Sequence, residues 1–431
     1  MSCKNTNPDN QFENALKIGR PPNITNLFPN SRALIVSGKV IDRALLAKGK
    51  AMTIAANGRS NTVIRGILKA AQRANAAVII EIAKSEGGAN AYCASSFWNL
   101  ARQVDATMNE LAIRVPVAIH ADHYGIKSDK DVQKGTIEIP SIFDAGITSI
   151  AIDASHLPDD KNLLANIALG SYVPKWAGYE TEVGEIKGTQ GLSTKDEASF
   201  LIQGLNAHNI FPDWIALNNG TTHGIEASDM GIQVALTTEI HNALAEYKIS
   251  GAQHGTSGNN SERLKDITEN TNTTKANVAT ALQMISWGVK VNEYGNAQLD
   301  DNGDFIKISG KGVNKETWSE MVAYAKSKGI RGGNYKKLNL PFENKILSQP
   351  QDVRERMSEA VEDFVYDLLV NVFNAQDTAP LAIDAILKAG SYDLGSKVGR
   401  ILDPAEWTES EIIKKASKLE VNQGPEGDFD D

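Results

Sequence analysis

Short apolar runs alternate with longer stretches whose apolar residues recur at helical spacing. Residues 51–56, closing on Asn57-Gly58, then 76–82, 115–125, 149–153, 178–184, 214–217, 249–253 and 289–292 read as strands. Between them, helical spacing places Val63, Ile64, Ile67, Leu68 and Ala71 on one face, and Phe97, Leu100, Val104, Met108 and Leu111 on another. Further helices are expected at 130–145, 161–172, 195–206, 231–246 and 277–287. Eight strands alternating with helices over about 250 residues predict a (β/α)8 TIM barrel spanning 37–320. An open doubly wound sheet uses the same alternation, but it gathers its ligands at one switch point, whereas here the candidate ligands end well-separated strands. Residues 1–36 are expected to be an N-terminal extension that wraps the surface or frays. Residues 321–431 are expected to form a C-terminal helical appendage, with helices near 352–374, 380–390 and 408–419 and an acidic tail, suited to an oligomer contact.

Composition narrows the function classes. The chain has 431 residues, 41% of them hydrophobic, which is ample for a large barrel with extensions. A formal net charge of -9 with no Lys/Arg block argues against nucleic acid as a partner. No apolar run reaches the roughly 18 residues of a membrane span. The polar start, Met1-Ser2-Cys3-Lys4-Asn5, lacks a signal-peptide core. Cys3 and Cys93, the only cysteines, make neither a disulfide framework nor a thiolate metal cage. A cytoplasmic protein is the expectation.

Three of the apolar strands lead into histidines: His120-Ala121-Asp122-His123-Tyr124-Gly125, Thr222-His223-Gly224 and Gln253-His254-Gly255. Any one of these imidazoles alone is more simply a satisfied histidine. Together, on one barrel face, His123, His223 and His254 point to a divalent metal with an open position, for which zinc, iron and cobalt all suit neutral imidazole. His120 fits a structural hydrogen bonder, and so do His208 and His241 on predicted helices. His156, in a loop after a strand, is balanced between a structural and a supporting role. Asp122 can either move a proton or orient an imidazole; on a regular strand its side chain would diverge from that of His123. The glycine-rich turns after His223 and His254 could hold an anion on backbone N–H groups.

In combination these motifs resemble the class II, metal-dependent fructose-bisphosphate aldolase family. The resemblance runs over about residues 37–300 through His120-Ala121-Asp122-His123, Glu182-Val183-Gly184, Gly220-Thr221-Thr222-His223-Gly224, His254-Gly255-Thr256-Ser257-Gly258 and Lys290-Val291-Asn292, with Asn57 closing the first strand. It implies a catalytic zinc on His123, His223 and His254, with iron or cobalt as alternatives and a monovalent cation nearby. Glu182, with Asp153, would hold the metal in an alternative resting position. The resemblance makes Asp122 the proton donor to the aldehyde-derived oxygen and places Asn292 against the enediolate. Asn57, Gly224, Gly255 and Ser257 would contact a sugar phosphate. The implied reaction is reversible aldol cleavage of a ketose bisphosphate to dihydroxyacetone phosphate and an aldehyde, in a homodimer or homotetramer.

Four departures from the family pattern cluster around the substrate. Ala227 stands where a lysine is expected. Asn292-Glu293-Tyr294-Gly295 lacks the expected acid and hydroxyl and puts Tyr294 beside the substrate. Gly188-Thr189-Gln190-Gly191 carries no loop acid. No arginine matches near Pro341-Phe342-Glu343. An arginine fork is hard to replace in phosphate recognition. The sequence therefore points to an aldolase whose substrate differs from fructose bisphosphate, with a non-phosphorylated or differently charged keto compound as one alternative and a non-catalytic aldolase-like subunit as another.

Overall fold

A computed structural model of the chain describes residues 8–89, 91–184, 191–220, 231–256, 259–292 and 295–419. Eight parallel strands close into a barrel in sequence order. They are β1 (Thr53–Asn57), β2 (Val78–Ala83), β3 (Val117–Gly125), β4 (Ser149–Asp153), β5 (Gly178–Val183), β6 (Trp214–Leu217), β7 (Ser250–Gln253) and β8 (Thr273–Val278). The seam is closed by β1 pairing with β8, Ala55 opposite Asn277. The (β/α)8 expectation holds.

The last strand is not where apolar patterning places it. Strand β8 reads Thr273-Thr274-Lys275-Ala276-Asn277-Val278, and residues 289–292 lie beyond the barrel, where Val289 and Val291 make isolated antiparallel bridges to Lys307 and Ala297. The reason is physical. The barrel interior at β8 is polar, so Lys275, wholly buried, is paired with carboxylates. A search for apolar runs passes over such a strand. Helix 261–270 between β7 and β8 was missed for the same reason, and the expected helix 277–287 starts at Thr280.

Helix Gly38–Lys48 closes the N-terminal end of the barrel. The Ser37 hydroxyl caps it by accepting from Lys39 N–H. At Gly38 a Cβ would lie 2.6 Å from Ser149 Oγ, so only glycine permits this approach. From residue 8 the N-terminal segment forms two helices, Pro8–Ile18 and Pro22–Leu27. Helix Pro8–Ile18 buries Phe12 and Ala15 in a cluster with Ala382 and Ile386 of helix Ala379–Ala389. Helix Gln351–Asp367 packs on helix Asn61–Ala74, and its Val361 and Val365 belong to the same apolar cluster as the barrel strands. Each such side chain contributes about 2 kcal/mol by burial. None of the described helices is long and apolar enough to cross a membrane.

Candidate active site

Around the C-terminal rim, several strands end in polar side chains: Asn57 on β1, Asp122 and His123 on β3, Asp153 on β4, Glu182 on β5, and Asn277 on β8, with His254 directly after β7. The rim of a parallel barrel is where such groups meet a ligand without burying polar atoms in the core. A cavity of about 280 Å³ opens there. It is lined by Asn57, Arg59, Glu81, Asp122, His123, His254, Gly255 and Asn277 among others.

A bulge brings Asp122 and His123 together. The β3–β4 register shifts between Ala121 and Tyr124, and His123 has φ of +39°. Regular pleating would send these neighbours to opposite faces. The bulge instead leaves Asp122 Oδ2 3.8 Å from His123 Nε2. A left-handed, non-glycine residue costs about 1–3 kcal/mol, and such strain concentrates at functional sites.

The imidazole nitrogens are sorted by their partners. His254 Nε2 lies 2.7 Å from Glu180 Oε1, so it carries the proton and donates it. His254 Nδ1 is then a lone pair, 2.8 Å from His123 Nε2. On the other side of His123, Nδ1 lies 3.2 Å from Glu182 and 3.4 Å from Asp153. With Nδ1–H held by carboxylates, His123 Nε2 presents a lone pair whenever the ring is neutral. Two lone pairs facing at this distance need a cation between them, either a proton on His123 or a metal ion. The chemistry of the donor set fits a divalent metal on His123 Nε2 and His254 Nδ1, with Asp122 beside them. Glu180 orients His254 but was not singled out in the sequence, although it lies two residues before Glu182 on the same face of β5.

Charge explains the protonation of the cluster. Burial alone would lower the pKa of His123, but the charges of Glu182 and Asp122 outweigh it and hold the imidazole well above its usual range. Burial would raise Asp122, but His123 and Lys275 bring it below the usual carboxylate range. Burial, then the nearby Asp153 charge, pushes Glu182 up to about 8. His120 is structural: its Nδ1 is 2.8 Å from Ser149 Oγ, and its Nε2 accepts from Lys275 Nζ at 3.1 Å. Lys275 also donates to Glu180 Oε2 at 2.7 Å.

Asn292 is not brought to this cavity. It follows the helix after β8, where its side chain accepts from Asn296 N–H at 2.9 Å. Asn277 occupies the rim instead and donates to Asp122 Oδ1 at 3.0 Å. Lys275-Ala276-Asn277 carries the Lys-x-Asn pattern at this rim, and in Asn277-Val278-Ala279-Thr280 a hydroxyl stands at Thr280 while Ala279 takes the place of the acid; both line the cavity. Asn57 donates its amide to Glu86, and its Oδ1 is buried without a hydrogen-bond partner, as is Asn277 Oδ1. Gly255 lines the cavity with φ of +59°. His223, Gly224, Ser257 and Tyr294, like Ala227 and Gly188-Thr189-Gln190, lie outside the described residues.

The cavity wall carries Arg59 and Lys336. Arg59 is committed: its Nε donates to Glu86 Oε1 at 2.8 Å and its Nη1 to Gln283 Oε1 at 2.9 Å.

A closed parallel barrel with an imidazole–carboxylate cluster at its C-terminal rim defines a class of metal-dependent barrel enzymes. The model of the class II fructose-bisphosphate aldolases matches residues 39–365, and the chain belongs to that family. Among its relatives, the fructose-bisphosphate aldolase of Staphylococcus aureus strain Mu50 is 35% identical over 127 residues, 29% of this chain and 40% of that protein. The fructose-bisphosphate aldolase of Mycoplasma genitalium is 29% identical over 163 residues, 37% of this chain and 52% of that protein. The matched stretch thus spans about half or less of these relatives. The crystal structure of the YdjI aldolase from Escherichia coli K12 superposes with a TM-score of 0.54 at 16% identity, covering 80% of this chain and 99% of that one. Fructose-bisphosphate aldolase from Campylobacter jejuni gives 0.54 at 17%, covering 80% and 97%. These two share the fold.

Proposed function

We propose that the protein is a metal-dependent aldolase that reversibly cleaves a ketose phosphate into dihydroxyacetone phosphate and an aldehyde. The observation that carries this reading is the 2.8 Å approach of His123 Nε2 to His254 Nδ1 at the strand-end rim, with Asp122 beside them. A divalent ion, zinc before iron or cobalt, held by these two imidazoles and by His223, supplies Lewis acidity toward substrate oxygens. The rest is done by this chain's own groups. Asp122 accepts the hydroxyl proton from the carbon that becomes the aldehyde and returns it in condensation. Asn277 fixes the carboxylate from one side. The open carbonyl oxygens of Asn57 and Asn277 accept from substrate hydroxyls. Glu182 and Asp153 hold the Nδ1 of His123, which supports an orienting role for both. A homo-oligomer acting in the cytoplasm is part of the same reading.

The commitment of Arg59 to Glu86 supports a finer reading. Among the described lining residues, Arg59 is the one arginine and it is held by Glu86 and Gln283, so no arginine fork is open to a second phosphate and a substrate with less charge than fructose bisphosphate is favoured. The test is a coupled cleavage assay of the metal-loaded protein on fructose bisphosphate and a panel of other ketoses and ketose monophosphates. Faster cleavage of a less charged ketose is expected. Full-rate cleavage of fructose bisphosphate alone would remove the altered specificity, and no turnover on any ketose by protein that holds metal would remove the aldolase reading.

A further inference from the structure

The N-terminal end of the barrel, opposite the histidine cluster, carries a second and larger cavity of about 800 Å³. Its floor is the first turn of helix Gly38–Lys48 and the start of β5 at Ala177 and Tyr179. Its sides come from segments 170–175, 208–211 and 393–396. Lys39 lines this cavity although the residue is only 5% exposed. Among the described residues its ammonium has no hydrogen bond and no ion pair, whereas the other deeply buried lysines, Lys275 and Lys397, are each paired with carboxylates. The side chain is enclosed along its length while its ammonium opens into the cavity without a carboxylate to meet it, and packing at that position could be met by an apolar side chain. Asp393 is the single acid among the lining residues, and its Oδ1 is taken by Gly395 N–H at 2.9 Å. The walls beside Lys39 include Ile167, Ile210 and Phe211. A pocket with apolar patches, into which an enclosed lysine presents an unpaired charge and which Lys175 also lines, has the recognition chemistry of a small organic anion.

We infer that this cavity binds a small anion with a compact apolar body, a phosphate monoester or a carboxylate, whose charge is neutralised by Lys39. The site is separate from the aldol chemistry and does not rest on it.

Titration calorimetry of the full-length, metal-loaded protein with phenyl phosphate and with benzoate tests this. One probe is expected to saturate a site whose affinity falls by at least about tenfold in Lys39→Met, the loss of a charge-assisted hydrogen bond. Lys39→Arg should retain most of that affinity, and Ile210→Trp, which fills the cavity, should abolish it. The probe that saturates tells phosphate from carboxylate. Cleavage rates of Lys39→Met without probe should match those of the unaltered protein. If Lys39→Met fails to fold, Ile210→Trp provides the same comparison. Equal binding of both probes by the unaltered and altered proteins, or binding of neither by the unaltered protein, would overturn the site.

Discussion

His254 Nδ1 and His123 Nε2 approach to 2.8 Å while the opposite nitrogen of each ring faces a carboxylate, Glu180 in one case and Glu182 with Asp153 in the other. The pairing makes Glu180 a positioning residue. Its carboxylate fixes which nitrogen of His254 keeps the proton and thereby which lone pair faces the metal. Glu180→Gln should therefore weaken metal affinity by about 10–100-fold. His254→Ala should leave no stoichiometric metal and no turnover. Metal content by mass spectrometry after dialysis against a graded chelator reads both. Unchanged affinity in Glu180→Gln would show that the tautomer of His254 is set by something else.

Asp122 separates chemistry from metal binding. Its Oδ1 already accepts from Asn277, a bond that asparagine at 122 can preserve. Asp122→Asn should keep the metal and lower kcat by about 10²–10⁴-fold, the usual worth of one positioned acid–base group. KM should change little if the residue only moves a proton. A near-normal kcat would assign proton transfer to another group, and loss of metal would make Asp122 a ligand.

Seven of the strands could be placed from hydrophobic patterning because their outward faces are apolar and pack on helices, even where β2, β3 and β5 turn Glu81, His120 and Glu180 inward. Strand β8 could not, since Lys275 and Asn277 face a polar interior and leave Ala276 and Val278 as its apolar signal. That displacement puts the Lys-x-Asn pattern at Lys290-Val291-Asn292, whereas Lys275-Ala276-Asn277 carries the same pattern on β8 and brings Asn277 to the rim. The convergence of His123 and His254 could be anticipated, because strand ends of a closed barrel must meet at one rim. The alignment of Asp122 with His123 could not, since a bulge is a local break in the alternation that strand patterning assumes. Glu180 and Glu81 were passed over as ordinary strand carboxylates, their burial being visible only once the barrel closes.

His241 gives a pH dependence away from the metal site. It is 3% exposed, and its Nδ1 accepts from Asn272 N–H at 3.2 Å. Burial lowers its pKa to about 4. The unfolded chain, with an ordinary histidine near 6.5, binds the proton first as pH falls. Stability contributed by the neutral ring is full above about pH 6.5 and is lost on descending toward pH 4, by about 3 kcal/mol in all. His241→Asn keeps an acceptor for Asn272 N–H and removes the titration. Urea unfolding at pH 7 and pH 4.5 should show a smaller pH difference for the variant than for the parent; parallel losses would place the acid sensitivity elsewhere.

Gly66 tests whether helix Gln351–Asp367 is a structural part of the barrel unit. A Cβ there would lie 2.5 Å from Ser358 O and 2.6 Å from Val361 Cβ, closer than van der Waals contact allows. Alanine in a helix interior should otherwise gain about 1 kcal/mol over glycine. Overpacking costs about 1–3 kcal/mol, and one of the opposing atoms is backbone, so the helix as a whole must shift. Gly66→Ala is therefore expected to destabilise the protein despite its better helix propensity, and to speed hydrogen exchange over 351–367. Val361→Gly added to it removes both Val361 contacts, Cβ at 2.6 Å and Cγ1 at 2.8 Å, so the double variant should be less destabilised than the sum of the singles. If Gly66→Ala were stabilising, propensity alone would govern the position, and the helix would have to move aside without cost to the barrel.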